Sequence, residues 1–159
     1  MNINLTGVRT AVILGSLGLI FLGCARVSEE ASREALEAAI SSFYFAVEEN
    51  NLDGRLALFT DDAIMMPNHW TIIRGKGDIG DVIRSGGETV FQIKDLDRLE
   101  LALSGDIGYT VNSYCYGFVR EGQETEWHKT KNVHIWRRQP DGSWKLHVDI
   151  WNSDVPVER

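Results

Sequence analysis

At 159 residues, with 43% apolar and 25% charged side chains and a formal charge of −7, the chain has the size and make-up of one globular domain. Arg9 is the only charge in the first 23 residues, so the remainder is more acidic still. Such a surface repels polyanions, and the basic residues form no long run, which argues against a nucleic-acid partner.

Residues 1–23 read as an export signal. A single basic residue precedes the apolar stretch from Ala11 to Leu22, which is too short and glycine-rich for the ~20 residues of a membrane span. Phe21-Leu22-Gly23-Cys24 resembles a bacterial lipobox, in which a small residue precedes a cysteine that is acylated and becomes the mature N-terminus. Phe21 and Leu22 stand where that motif usually has a leucine and a small residue. Two other outcomes stay open: cleavage after Ala25, since Gly23 and Ala25 give a small-x-small pattern, and an uncleaved anchor. The expectation adopted is export to the bacterial envelope with a lipid anchor on the membrane at Cys24; the alternative is a soluble periplasmic or secreted protein. Residues 24–28 form a polar tether. With Cys24 acylated, Cys115 has no partner, and its place in Tyr114-Cys115-Tyr116 suits packing better than a nucleophile.

Ser28 can cap a helix that carries Glu29 and Glu30 in its first turn. Leu36, Ile40, Phe43 and Val47 then recur along one helical face, and the helix should end near Asn50-Asn51. A short second helix is expected from Leu52 to Phe59, and a brief strand from Ala63 to Met66 closed by Pro67. The following loop carries Asn68, His69 and Trp70. Ile79, Val82 and Ile83 suggest a third helix between Gly75 and Ser85-Gly86-Gly87. From Thr89 onward the pattern is that of strands: Val90–Leu103, bent near Asp95–Asp97, then Ile107–Arg120, Thr125–Arg138 and Trp144–Asn152. Glu121-Gly122-Gln123-Glu124 and Pro140-Asp141-Gly142-Ser143 mark hairpin turns. Helices followed by an antiparallel meander make an α+β fold.

Phe59-Thr60-Asp61-Asp62-Ala63, Pro67 and Arg74-Gly75-Lys76 resemble the front half of SnoaL-like domains. Gly105-Asp106, the run from Trp136 to Lys145, and Asp149-Ile150-Trp151-Asn152-Ser153 resemble the back half. These domains belong to the nuclear transport factor 2-like, cystatin-like superfamily, and the resemblance spans residues 29–156. It implies a cone-shaped domain whose curved antiparallel sheet wraps N-terminal helices and leaves a pocket at the open end. It also implies pairing of two copies through the sheet. Ketosteroid isomerase, an enzymatic relative, uses a tyrosine and two aspartates. Here Phe43 stands at the helix position with Tyr44 one residue off, Met65-Met66-Pro67 replaces the general base, and no carboxylate lies between Trp127 and Arg138. Steroid isomerisation by that chemistry is not expected.

A first hairpin centred on Gly122-Gln123 sets Tyr116 opposite Lys129 and Tyr114 opposite Lys131. A second, centred on Asp141, sets Lys131 opposite Trp151, Val133 opposite Asp149 and Ile135 opposite His147. Period-two alternation then gathers Tyr114, Tyr116, Lys129, Lys131, His147, Asp149 and Trp151 on one face. The other face holds Cys115, Trp136, Trp144, Leu146, Val148 and Ile150, with His128, Asn132 and His134. A one-residue slip would exchange these assignments.

The first face has the aromatic walls and sparse polar groups of a small-molecule pocket. Asp149, Lys131 and His147 are the catalytic candidates: a Lys131–Asp149 pair would hold the carboxylate ionised, and His147 could relay a proton. The reading set against it makes Lys131–Asp149 a fold-specifying pair, or one solvated at the mouth of the cone. Tyr114, Tyr116 and Trp151 are ligand-binding candidates, together with Met66, His69 and Trp70 near the mouth. No metal site is expected, because the histidines fall on separate strands without ligand spacing, and no cofactor motif is present. The preferred function is binding of a small hydrophobic molecule, with acid/base catalysis of isomerase or cyclase type within reach. The alternative is a non-catalytic envelope lipoprotein, a homodimer serving assembly, with Trp136, Trp144, Leu146, Val148 and Ile150 as its apolar interface. Intact-mass analysis of membrane-extracted protein should show an acylated Cys24, and Cys24→Ser should abolish it. A soluble mature chain beginning at Arg26 would refute lipidation.

Overall fold

The computed structural model describes residues 28–85 and 90–156; the signal segment, Cys24 and Gly86-Gly87 lie outside the described residues. Three helices, α1 (Glu29–Glu48), α2 (Leu52–Ala57) and α3 (Lys76–Arg84), accompany six strands. The strands are β1 (Phe59–Met66), β2 (Ile73–Arg74), β3 (Val90–Ser104), β4 (Ile107–Val119), β5 (Trp127–Arg138) and β6 (Trp144–Ser153). They form one sheet in the order β2-β1-β6-β5-β4-β3. β1 runs parallel to β6 and every other pairing is antiparallel.

The helices form where the local chemistry favours them. The Ser28 hydroxyl accepts the Ala31 N–H at 3.1 Å, and Glu29 and Glu30 lie in the first turn of α1. Asn51 caps α2 by accepting the Gly54 N–H at 2.8 Å. The apolar stripe of α1 supplies buried Leu36, Ile40, Phe43 and Val47, which meet Phe59, Met65, Ile79, Trp136, Trp144 and Leu146 in one core. Close approach of α1 to β4 depends on Gly108, where a Cβ would lie 2.5 Å from Leu36 Cδ2. β3 bends where expected: Asp95 has φ 55°, and the pairing with β4 shifts between Lys94 and Asp97 and again between Arg98 and Glu100.

The register of the last three strands differs from the sequence-based one in two places. Between β4 and β5 the connection is a seven-residue loop instead of a tight hairpin, and Tyr116 pairs with His128 and Tyr114 with Thr130. Between β5 and β6 the expected register holds from Arg138–Trp144 to Trp136–Leu146. It then slips, because Ile135 pairs with Val148 and His147 is an extra residue. A bulge of one residue exchanges the faces of everything beyond it.

The faces are therefore redistributed. Tyr114, Tyr116, Asp149 and Trp151 remain together on the concave side, which faces α1. Lys129, Lys131 and His147 turn to the convex side, and the Lys131–Asp149 pair does not form. His128, Asn132, His134, Trp136, Trp144 and Leu146 join the concave side. Trp136, Trp144 and Leu146 are core residues, so they cannot supply an outer apolar patch. The convex stripe that does exist consists of half-buried Val111, Val133, Ile135, Val148 and Ile150, with β1 adding Ile64 and Met66 beside the last two.

Candidate functional site

Concave-facing side chains of three neighbouring strands form a buried polar cluster. β4 contributes Thr110, Asn112 and Tyr114, β5 contributes Thr130, Asn132 and His134, and β6 contributes Asp149. Tyr44 enters from α1 and stacks on the His134 ring at 6.2 Å between centroids. Phe43 meets the same imidazole edge-on at 5.4 Å, and Trp136 does so at 6.1 Å. The cluster thus rests on aromatic walls and an apolar base.

At its centre, His134 Nε2 lies 3.1 Å from Asp149 Oδ1, with both residues at most 4% exposed. The Asn132 amide is 2.7 Å from the same nitrogen, and Asn112 Nδ2 donates to Asn132 Oδ1 at 2.9 Å and to Thr110 Oγ1 at 3.1 Å. One imidazole nitrogen is therefore shared by an amide and a carboxyl group. With Asn112 Nδ2 donating to its Oδ1, Asn132 presents Nδ2 to the ring, so Asn132 and Asp149 compete for His134 Nε2. His134 Nδ1, Tyr44 Oη, Asn112 Oδ1 and Arg55 Nε are buried without a hydrogen-bond partner. Each such group costs about 1–3 kcal/mol in a closed interior, so four together in one region invite a ligand or water.

Burial, followed by the Asp149 charge, pushes the phenols of Tyr44 and Tyr114 well above the usual tyrosine range. Both stay protonated near neutrality and can donate hydrogen bonds. Arg55, from α2, is half-buried against Phe43 and Phe91, with its Cζ 5.4 and 5.1 Å from their ring centroids. Burial lowers its guanidinium pKa, while the Asp149 carboxylate acts in the opposite direction. Beyond Arg55 the concave face ends in an aromatic lip. Tyr116 lies 5.8 Å from Phe91, 6.0 Å from Phe118 and 5.1 Å from His128, and the last two are exposed.

The remaining sequence candidates lie elsewhere. His147 belongs to a convex cluster: Arg137 Nη2 donates to its Nε2 at 2.6 Å, and Thr60 Oγ1 is 3.0 Å from its Nδ1. Because arginine can only donate, Nε2 accepts and the ring proton resides on Nδ1. Desolvation and then the Arg137 charge lower the His147 pKa, so the ring is held neutral as a latch between β1, β5 and β6. Arg137 also grips Asp62 through both carboxylate oxygens, at 2.9 and 3.1 Å. Lys131, with Lys129, pairs with Asp154 at the surface, at 3.3 and 3.1 Å. Met66 pairs with Ile150 on the convex side, and its neighbour Met65 pairs with Asp149 and is buried. His69, with φ 57°, and Trp70, 67% exposed, sit on the loop that leaves β1 at the Trp151 end of the sheet. An open groove of about 680 Å³ lies along α1 and α2, and its lining includes no strand residue.

The central residues His134, Asn132, Asn112, Tyr44 and Arg55 escaped the sequence reading. Thr110-x-Asn112-x-Tyr114 and Thr130-x-Asn132-x-His134-x-Trp136 did carry the signal, as polar residues repeating at period two within otherwise apolar strands.

No family model matches the chain, and neither does any curated protein. Solved structures do. A ketosteroid isomerase-like protein from Erwinia carotovora atroseptica superposes with a TM-score of 0.67 at 18% identity, over 77% of this chain and 96% of its own. A nuclear transport factor 2-like superfamily protein from Salmonella enterica serovar Typhimurium gives 0.69 at 12% identity, over 82% and 96%. The fold is nuclear transport factor 2-like. A proposed dehydratase of that family from Streptomyces avermitilis gives 0.65 at 16% identity, over 80% and 99%. Such low identities carry the fold and leave the chemistry to the residues of each protein.

Proposed function

We propose that the concave face binds a small, largely hydrophobic molecule and moves a proton on it. The chemistry would be acid/base catalysis of isomerase or cyclase type, in an exported protein anchored through Cys24. The observation that carries this reading is the buried His134–Asp149 pair, surrounded by polar atoms with no partner among the described residues. Buried polar and titratable groups that converge in one interior are a common mark of a functional site. Tyr44 and Tyr114, kept protonated by burial, would polarise a carbonyl oxygen while His134–Asp149 exchanges a proton with the adjacent carbon. Phe91, Tyr116 and Phe118 would form the apolar approach, with Trp151 beside it. Support also comes from fold relatives described as isomerase-like and as a proposed dehydratase.

The test is solvent exchange. Small enolisable ketones incubated with the protein in D2O should gain deuterium at the α-carbon, and Asp149→Asn should slow this by about 10²–10⁴-fold, the usual weight of a general base. Binding without exchange would reduce the reading to that of a carrier. Absence of binding by any member of a hydrophobic carbonyl series would refute it.

A second reading, pairing of two copies, is favoured by the convex row of Val111, Val133, Ile135, Val148 and Ile150, which no described helix covers. Sedimentation at micromolar concentration should give a dimer, and Ile135→Glu should give a monomer. A wild-type monomer under those conditions would exclude the pairing.

A further inference from the structure

We infer that the ligand of the concave face is an anion, a hydrophobic monocarboxylate held by Arg55. This rests on the small-molecule reading above and names the class of molecule. Arg55 projects from α2 with its guanidinium carbon 5.4 Å from the Phe43 ring centroid and 5.1 Å from that of Phe91, within cation–π reach of both. A guanidinium bonds through N–H groups in its plane, and that plane has no acceptor here. Nε is buried with no hydrogen-bond partner, and among the described residues Arg55 forms no ion pair.

Several other arginines and lysines show what a satisfied cation looks like in this protein. Arg84 pairs with Asp53, Arg137 with Asp62, Arg138 with Asp106, and Lys129 and Lys131 with Asp154. All these pairs are at the surface, where a cation needs a partner least. Arg55 has a buried Nε and no such partner, in a chain whose acids outnumber its bases.

Its surroundings complete the argument. Asp149 is the carboxylate whose charge reaches Arg55, but Asp149 is bonded to His134. Arg98 pairs with Asn112 in the strand register, hence lies on the same face, and its charge reaches Tyr44. Two cations therefore bear on a region whose internal carboxylate is already engaged. A carboxylate of a bound molecule would accept from the open edge of Arg55. Its apolar body would rest on Phe91 and Tyr116. A neutral carbonyl compound would leave the guanidinium uncompensated, so the site should discriminate between charged and uncharged ligands of equal shape.

The probe pair is benzoate and benzamide, which are nearly isosteric and differ in charge. Calorimetric titration of the detergent-solubilised full chain at pH 7 should show benzoate bound at least about tenfold tighter than benzamide. Arg55→Met should erase that preference, benzoate and benzamide then binding about equally. Arg55→Lys keeps the charge without the planar fork and should retain part of the preference; it also serves should the methionine variant fail to fold. Equal affinity of the wild type for both probes, or a benzoate preference that survives in the variants at full size, overturns the anion assignment. Binding of benzamide in that case would leave the concave-face site standing. If neither molecule binds, both the assignment and the small-molecule reading beneath it fall.

Discussion

Asp149 and Leu146 face the same interior although they are three positions apart, and this follows from the bulge at His147. In a regular strand, residues three apart point to opposite sides. One extra residue lets β6 place Trp144 and Leu146 in the apolar base of the cone and Asp149 and Trp151 in its polar upper part. The bulge is secured from outside: His147 bonds Thr60 of β1 and Arg137 of β5, and Arg137 in turn holds Asp62. Without that latch, β6 in a regular register would send Asp149 outward and leave His134 without its carboxylate. The convex network thus sets the geometry of the concave cluster without touching it.

The interior is costly by the usual rules of packing. Asn112, Asn132, His134 and Asp149 occupy space that Leu36, Ile40 and Trp136 show could be apolar. Buried ionic and polar networks are often no more stable than hydrophobic replacements of similar volume, and incomplete ones are worse. This network is incomplete at His134 Nδ1, Tyr44 Oη, Asn112 Oδ1 and Arg55 Nε. A fold that needed only stability would have no use for such a set. A site that must hold and polarise a small molecule requires unsatisfied groups of this kind, walled here by Phe43, Trp136 and Phe91.

Much of the architecture was legible in the sequence. The α1 face built on Leu36, Ile40, Phe43 and Val47, the cap at Ser28, the bend at Asp95 and the turn at Asp141-Gly142 are local features with local causes, and they recur in the structure. The site was harder to read because its composition depends on parity between strands. Tyr114, Tyr116, Asp149 and Trp151 were grouped as expected, since the slip at the β4–β5 loop and the slip at His147 leave those four together. The same slips moved Lys131 and His147 out and brought His134 and Asn132 in. Neither slip has a sequence signature comparable to an Asp-Gly turn. Arg55 was hidden for another reason: a charged residue on a short helix reads as solvent-facing until Phe43 and Phe91 are seen beside it.

Whether the polar cluster exists for a ligand or for the fold can be decided by equilibrium urea unfolding of one triple variant, Asn132→Leu/His134→Phe/Asp149→Leu. It removes the three residues bonded around His134 together and leaves Asn112 its bond to Thr110 Oγ1. If the cluster is kept for binding, the variant should unfold with a free energy within about 1 kcal/mol of the wild type, or higher, because apolar packing replaces desolvated charge. A loss of roughly 3 kcal/mol or more, of the size seen when a buried pair is broken, would mean that His134 and Asp149 hold the cone together and would contradict the account.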